Sequence, residues 1–261
     1  MVVGEWMPVL ILYQEEGNFY SSSSKDLKAT SGLWNRIVSA DFNNDGKIDF
    51  AVGNYGLNSQ LKEPLSMYYA DFDNNGSIDP ILCTVENGKE YPFVSKDDLQ
   101  SQLVELKSKY VSYASYADQS IEDVFGEEQL SKAQKLEAKE LASSVVINLG
   151  EDRFKFSPLP MLSQTSPVYA LIPVDVDHDG ITDIITAGNL FGTRVKLGRY
   201  NSSRGEFLKG LGDGTFYSLP YSKSGLNSSG QVRDISMITI SSETYLLFAK
   251  NNESLEAYLI Q

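Results

Sequence analysis

The sequence contains one cysteine, Cys83, and one histidine, His178, in 261 residues. A single cysteine cannot form an internal disulfide, and its place in a strand-like segment predicts a small buried apolar side chain. His178 lies within an acidic loop, at a position whose side chain normally points outward. The sequence therefore shows no Ser/His/Asp, Cys/His or zinc-binding arrangement, which argues against the enzyme classes that depend on one.

Basic residues are also scarce, with 22 Lys and Arg against 35 Asp and Glu and a net charge of −13. Such a chain cannot neutralise phosphates, so we expect no nucleic acid partner. No apolar run reaches membrane-spanning length, and we expect no membrane span. No signal peptide is visible, because the residues from Met1 to Trp6 lead directly into strand-like sequence.

Ten of the acidic residues fall in three loops that fit the pattern D-x-[DN]-x-[DN]-G-x-x-D. We call residues 41–49 loop 1, residues 71–79 loop 2 and residues 175–183 loop 3. Oxygen side chains at positions 1, 3 and 5 can converge if the backbone coils, and the glycine at position 6 permits that turn. Position 7 would offer its carbonyl and position 9 a last carboxylate. Oxygen-only ligands in a flexible loop favour Ca²⁺ over Mg²⁺.

The sequence therefore predicts three calcium sites. Their ligands are Asp41, Asn43, Asp45, Lys47 and Asp49 in loop 1, Asp71, Asp73, Asn75, Ser77 and Asp79 in loop 2, and Asp175, Asp177, Asp179, Ile181 and Asp183 in loop 3. Loop 3 has four carboxylates and is expected to bind most tightly, while loop 2 is expected to be weaker.

The closest alternative to these loops is an EF-hand, which needs a glutamate at position 12 and helices on both sides. Position 12 is Val52, Leu82 or Thr186, and the flanking segments are short, apolar and partly β-branched. These flanks predict strands, so the loops are expected at the tips of β-hairpins. An ordinary hairpin turn without metal would explain one copy, but the repetition favours metal binding.

The period of the apolar residues changes after residue 95. Ser95-Lys-Asp-Asp98 fits a helix capping box, and Leu99, Leu103, Leu106 and Tyr110 follow at helical spacing. A further helix is expected over 127–141. We predict a single domain over 1–261, with 95–142 as a peripheral helical insertion into a β pattern.

The β pattern itself repeats as strand, acidic loop, strand, Gly-Asn and a further strand pair. Gly53-Asn54 and Gly188-Asn189 follow two of the hairpins, and Leu211-Gly-Asp-Gly-Thr-Phe216 is a later turn. About four strands per unit of roughly 40–50 residues is typical of propeller blades, so we predict an all-β fold, a β-propeller or partial propeller of about four blades.

These motifs resemble the FG-GAP / VCBS-type repeat family, and the chain is similar to the C-terminal part of large VCBS-repeat proteins of Bacteroidetes-type bacteria. The resemblance implies a calcium-stabilised β-propeller that continues into further N-terminal repeats of a secreted or surface protein. Family members often bind proteins or glycans, but no single activity follows from the fold. Because free calcium is scarce in the cytosol, an extracytoplasmic location is expected.

The expected function is a non-enzymatic binding or scaffold module with a protein or glycan partner. The alternative is a calcium-dependent carbohydrate-active enzyme, a polysaccharide lyase or hydrolase, on the same scaffold. The basic loop with Arg194, Lys196 and Arg199 is the main feature that favours the alternative. At the ends of the chain, we expect either that the last strands pair with residues 2–13 or that the sheet edges stay open.

Overall fold

A computed structural model describes residues 1–260, which form several small antiparallel sheets. The all-β prediction is confirmed at this level. The strands are β1 (Glu5–Met7), β2 (Leu12–Glu15), β3 (Asn18–Ser21), β4 (Gly32–Leu33), β5 (Arg36–Ala40), β6 (Asp49–Gly53), β7 (Leu65–Ala70), β8 (Asp79–Glu86), β9 (Lys89–Pro92), β10 (Gln134–Ala138), β11 (Ser144–Gly150), β12 (Arg153–Pro158), β13 (Val168–Val174), β14 (Asp183–Gly188), β15 (Glu206–Gly210), β16 (Phe216–Leu219), β17 (Val232–Ile240), β18 (Glu243–Lys250) and β19 (Glu256–Ile260).

The helices are short. They are α1 (Lys25–Lys28), α2 (Lys96–Gln102), α3 (Leu106–Lys109), α4 (Tyr113–Tyr116), α5 (Ile121–Phe125), α6 (Glu127–Lys132) and α7 (Tyr221–Ser224), with 3₁₀ turns at Met161–Gln164 and Val195–Leu197. None of the helices in the described part of the chain is long and apolar enough to cross a membrane.

The chain divides into two compact units. Unit 1 contains Met1–Gln60 and the residues from Leu141 onwards, and unit 2 contains Leu61–Glu140. Unit 2 holds loop 2 as well as the helices of the predicted insertion. It therefore interrupts unit 1 between β6 and β11.

Unit 1 contains two four-stranded antiparallel sheets in which strands adjacent in the sheet are also consecutive within the unit. One has the order β5-β6-β11-β12, and the other has the order β13-β14-β15-β16. Loop 1 joins β5 to β6, and loop 3 joins β13 to β14. Each sheet thus consists of a hairpin with an acidic loop followed by a second hairpin. A three-stranded sheet, β17-β18-β19, follows them in the chain.

The sheets of unit 1 pack face to face because neighbouring residues in a strand point to opposite faces. In β14, Ile184 joins a core cluster with Ala51 of the first four-stranded sheet, whereas Ile185 joins a cluster with Phe248 of the three-stranded sheet. All six residues of β14 are buried. This two-sided burial explains why the apolar residues Ile184 and Ile185 are consecutive in β14 instead of alternating with polar ones.

The Gly-Asn pairs after the hairpins have a structural role. A Cβ on Gly53 would lie 2.5 Å from the Val168 carbonyl oxygen, so only glycine allows this approach of the two backbones. The next residue, Asn54, is completely buried, and its Oδ1 accepts the Leu33 N–H at 3.1 Å. Asn189 is likewise buried and donates to the Gly230 carbonyl at 2.7 Å. Each pair therefore fixes the chain where it leaves a hairpin.

Unit 2 is a four-stranded sheet of order β10-β7-β8-β9 with helices packed on it. Its core joins Phe72 and Cys83 of the sheet region to Leu99 and Leu103 of the helical region. Ser95 is the N-cap of α2, as expected, since its Oγ accepts the Asp98 N–H at 3.4 Å.

The prediction of a helix over 127–141 is wrong in its second half. Helix α6 ends at Lys132, and Gln134–Ala138 forms β10, which pairs with β7. Within β10, Ala138 is fully buried while Lys135 makes an ion pair with Glu90 of β9 at 3.1 Å. Because β7 offers a hydrogen-bonding edge, a segment with good helix formers becomes a strand.

Of the two alternatives expected for the ends of the chain, pairing of the last strands with residues 2–13 is not observed in the described structure. Strands β17, β18 and β19 pair only with one another in the described structure. Near the N-terminus, Val2 bridges to Leu10, β1 pairs with β4, and β2 pairs with β3. Pairing between the ends of the described chain therefore does not close a ring.

Candidate metal centres

The three acidic loops share one backbone conformation. The first carboxylate folds over the loop, so that Asp41 accepts the Asp45 N–H at 3.2 Å and the Gly46 N–H at 2.8 Å. Asp71 and Asp175 make the same two bonds in their own loops. A carboxylate oxygen that accepts one N–H still has a lone pair for a cation.

Two left-handed residues in each loop make this coil possible. The glycine at position 6 has φ near 80° in all three loops, with values of 81° at Gly46, 85° at Gly76 and 80° at Gly180. Position 4 is also left-handed, and His178 occupies it in loop 3 with φ of 58°. His178 is exposed, in agreement with its expected outward position.

The carboxylate at position 9 is the buried part of each loop. Asp49 and Asp183 are completely buried, and Asp79 is 5% exposed. In loop 1, Asp49 accepts the Phe42 N–H at 3.0 Å with one oxygen and the Asn148 N–H at 2.8 Å with the other. It thereby links loop 1 to β11, although unit 2 separates the two in the sequence.

The other two loops use position 9 in the same way. Asp183 accepts the N–H groups of Val176 at 3.1 Å and Gly210 at 2.9 Å. Asp79 accepts the Phe72 N–H at 3.1 Å and the Gln102 side-chain amide at 3.3 Å. The sequence reasoning assigned these aspartates to metal alone and missed their role in linking each loop to a neighbouring strand or helix.

Burial has a clear effect on two of these carboxylates. It raises the pKa of Asp49, and the N–H groups of Asn148 and Phe42 offset only part of the shift. Burial also raises the pKa of Asp183, against the N–H groups of Gly210 and Val176. A divalent cation would favour the ionised form of both groups.

Two of the loops bring three carboxylates together. One oxygen from each of Asp71, Asp73 and Asp79 lies within 4.8 Å of the others in loop 2, and Asp175, Asp177 and Asp183 do the same in loop 3. These are positions 1, 3 and 9 of the pattern. Loop 1 has no such carboxylate group because its position 3 is the amide Asn43. The predicted ligands at these positions of loops 2 and 3 are therefore clustered.

Position 5 lies outside both carboxylate groups. Asp45 accepts the Lys47 N–H at 2.9 Å, Asn75 accepts the Ser77 N–H at 2.8 Å, and Asp179 accepts the Ile181 N–H at 2.9 Å. In each loop this side chain thus stabilises the turn. A metal-binding role for positions 5 and 7, including the carbonyls of Lys47, Ser77 and Ile181, stays a prediction.

Lysine side chains reach two of the loops. In loop 1, Lys47 Nζ lies 2.8 Å from Asp45 Oδ2. In loop 3, Lys209 Nζ lies 2.6 Å from Asp177 Oδ1, 2.7 Å from Asp179 Oδ2 and 3.5 Å from Asp183 Oδ1. Burial would lower the pKa of Lys209, but the hydrogen bonds to Asp177 and Asp179 outweigh it and the pKa is raised.

Lys209 was not among the residues singled out from the sequence, although strand pairing could have found it. Strand β15 pairs with β14 through Ile184 and Leu208, so the next residue, Lys209, falls beside Asp183. Loop 2 differs, because no Lys or Arg within residues 1–260 forms an ion pair with its three aspartates.

The basic loop singled out as an alternative site lies in unit 1. Leu190 and Tyr200 pair across its base, and Arg194, Lys196 and Arg199 are exposed. The Arg199 guanidinium lies 5.3 Å from the centre of the Phe191 ring. The loop therefore presents positive charge to solvent in an otherwise acidic chain.

No protein-family model matches the chain, and no curated protein has significant similarity to it. The resemblance to FG-GAP / VCBS-type repeats therefore depends on the motifs themselves.

Proposed function

We propose that the chain is a calcium-binding β-propeller-type repeat module of a secreted or cell-surface protein, and that it binds or scaffolds a protein or glycan partner. The observation that carries the proposal is the convergence of positions 1, 3 and 9 in loops 2 and 3. Three carboxylates this close repel one another unless positive charge lies between them.

Calcium fits this donor set better than the other common cations. The clustered atoms are all carboxylate oxygens, with no His or Cys, and this excludes the sets that zinc and copper prefer. Mg²⁺ needs near-ideal octahedral geometry and keeps several waters, whereas Ca²⁺ accepts six to eight oxygens in irregular loops. The carbonyl at position 7 and the side chain at position 5 would complete the set.

The architecture supports a role as a module. Two four-stranded sheets with an acidic hairpin pack on each other through a shared apolar core, and a third sheet packs on the second. Repeated sheets stacked in this way are the building plan of propellers. Calcium would lock the hairpin tips, where the position-1 and position-3 carboxylates lie nearer the surface than the buried position-9 aspartates.

One observation favours the alternative, a calcium-dependent carbohydrate-active enzyme. Unit 1 has a cavity of about 260 Å³ lined by apolar and hydroxyl side chains together with Arg204 and Glu206. Burial raises the pKa of Glu206, although Ser163 and Ser218 donate hydrogen bonds to it. A buried carboxyl with a raised pKa in a cavity is a feature of general acids.

The proposed calcium function is tested by thermal melting of the protein in calcium, in magnesium and in EDTA. Calcium should raise the melting temperature well above that in magnesium. A ligand bound only by the folded state adds about 2.7 kcal/mol at a hundred times its dissociation constant. Asp71→Asn should remove the part of this gain that comes from loop 2, because it removes one of three converging carboxylates.

Glu105→Gln is the matched control, since Glu105 is an exposed carboxylate of unit 2 outside the loops. It should respond to calcium like the parent. Equal stabilisation by calcium and magnesium would contradict the proposal. Glycan arrays test the binding role, and polysaccharide cleavage that is abolished by both EDTA and Glu206→Gln would establish the enzyme alternative instead.

A further inference from the structure

We infer that Lys209 is an intramolecular cation of loop 3 that competes with calcium for the loop carboxylates, so that loop 2 is the tighter calcium site. The inference rests on the proposed calcium function. It reverses the order expected from counting carboxylates, in which loop 3 comes first.

The position of Lys209 is fixed by its strand. Its neighbour Leu208 is completely buried between the two four-stranded sheets, and the Gly210 N–H donates to Asp183 at 2.9 Å. The backbone on both sides of Lys209 is thus tied down, and its side chain is only 12% exposed. The ammonium group is therefore held at the loop and is not a mobile surface charge.

The ammonium contacts residues whose carboxylates a metal would use. Asp177 and Asp183 are two of the three clustered carboxylates, and Lys209 lies 2.6 Å from the first and 3.5 Å from the second. Its third contact, 2.7 Å to Asp179, holds the position-5 side chain. Calcium has to displace the ammonium from these carboxylates, because two cations this close together repel each other.

The other two loops provide comparisons within the same chain. Lys47 contacts only the position-5 residue Asp45, which is not one of the positions that converge in loops 2 and 3. Loop 2 clusters three aspartates without a lysine partner in the described structure. If lysine competes with calcium, only loop 3 should be strongly affected.

Calcium titration calorimetry on metal-free protein tests the inference with two variants, Lys209→Met and Lys47→Met. Lys209→Met keeps most of the apolar stem but removes the charge. It should tighten binding at loop 3 at least tenfold, which is equivalent to about 1.4 kcal/mol. Lys47→Met should change the calcium affinity of every loop less than Lys209→Met changes that of loop 3. Adding Asp175→Asn to Lys209→Met should cancel the gain, because Asp175 is clustered with the other ligands but, in the described structure, forms no ion pair with Lys209.

A second measurement needs no variant. Lysine acetylation followed by mass spectrometry should show that Lys209 in the unmodified protein is protected in EDTA and reacts faster in saturating calcium. The acetylation rate of Lys47 should differ less between EDTA and calcium. Unchanged calcium affinity at loop 3 in Lys209→Met, or an unchanged acetylation rate, overturns the inference.

The two proposals fail in different ways. If Lys209→Met leaves loop 3 unchanged while Asp71→Asn abolishes a tight site, the role of Lys209 is wrong and the calcium function stands. If Asp71→Asn leaves all calcium binding unchanged, loop 2 is not a calcium site. The ranking of the loops by calcium affinity is then wrong as well.

Discussion

Replacement of Asp49 by alanine should separate the structural role of the acidic loops from their role in metal binding. The Asp49 carboxylate is completely buried and accepts the backbone N–H groups of Phe42 and Asn148. Asp49→Ala leaves both donors without an acceptor, and each unpaired buried group costs about 1–3 kcal/mol. Removing a carboxylate whose pKa is raised by burial offsets part of this loss.

We therefore expect Asp49→Ala to lower the free energy of unfolding by about 2–4 kcal/mol. For a unit of this size, this corresponds to a fall of roughly 5–15 °C in melting temperature. The loss should occur in EDTA as well as in calcium, because the two hydrogen bonds do not involve a metal. Differential scanning calorimetry would resolve the transition of unit 1.

Asp41→Asn, in the same loop, is the matched control. The N–H groups that Asp41 binds lie in the exposed turn, at Asp45 and Gly46, and an asparagine oxygen can still accept one of them. This variant should melt within about 2 °C of the parent in EDTA, since surface changes usually cost less than about 0.5 kcal/mol. It should fall below the parent only in calcium. An Asp49→Ala protein that melts like the parent in EDTA would refute the structural role of the Asp49 carboxylate.

Three further outcomes are expected. Leu208→Ala should lower the free energy of unfolding in urea by about 2–5 kcal/mol, because Leu208 is fully buried, whereas the exposed Leu211→Ala should cost under about 0.5 kcal/mol. Because burial raises the pKa of Glu206 above its usual 4.5, the folded state retains its proton more readily, and stability falls as pH rises through that window. Glu206→Gln should therefore melt above the parent at pH 8, with a gap that closes towards pH 4.5. Burial raises the pKa of Cys83 to about 12, so iodoacetamide should label it only when unit 2 unfolds locally. In calcium, labelling should therefore be faster for Asp71→Asn than for the parent.

The acidic hairpins could be predicted from the sequence because their determinants are local. Nine consecutive residues carry the oxygens and the glycine, and the flanking apolar residues predict the strands on each side. The structure has strands on both sides of loops 1, 2 and 3, and the position-1 carboxylate accepts the same two N–H groups in each. The N-cap at Ser95 is equally local and was found for the same reason.

The strand at Gln134–Ala138 could not be predicted in this way. Its residues are good helix formers, and only the edge of β7, more than sixty residues earlier in the chain, makes it a strand. The bounds of unit 2 depend similarly on β6 and β11 pairing across it. Propensity is a local quantity, whereas strand pairing is decided by which partner is available.

The sequence by itself determined the three oxygen-rich loops, the hairpins that carry them and the strand-rich class of the fold. Only the tertiary structure decided what surrounds each loop. It places Asn148 on the buried carboxylate of Asp49 and Lys209 against loop 3, and within residues 1–260 it leaves loop 2 without a lysine partner. A loop's ligand types follow from covalent order, but its electrostatic surroundings come from strands that are distant in the chain.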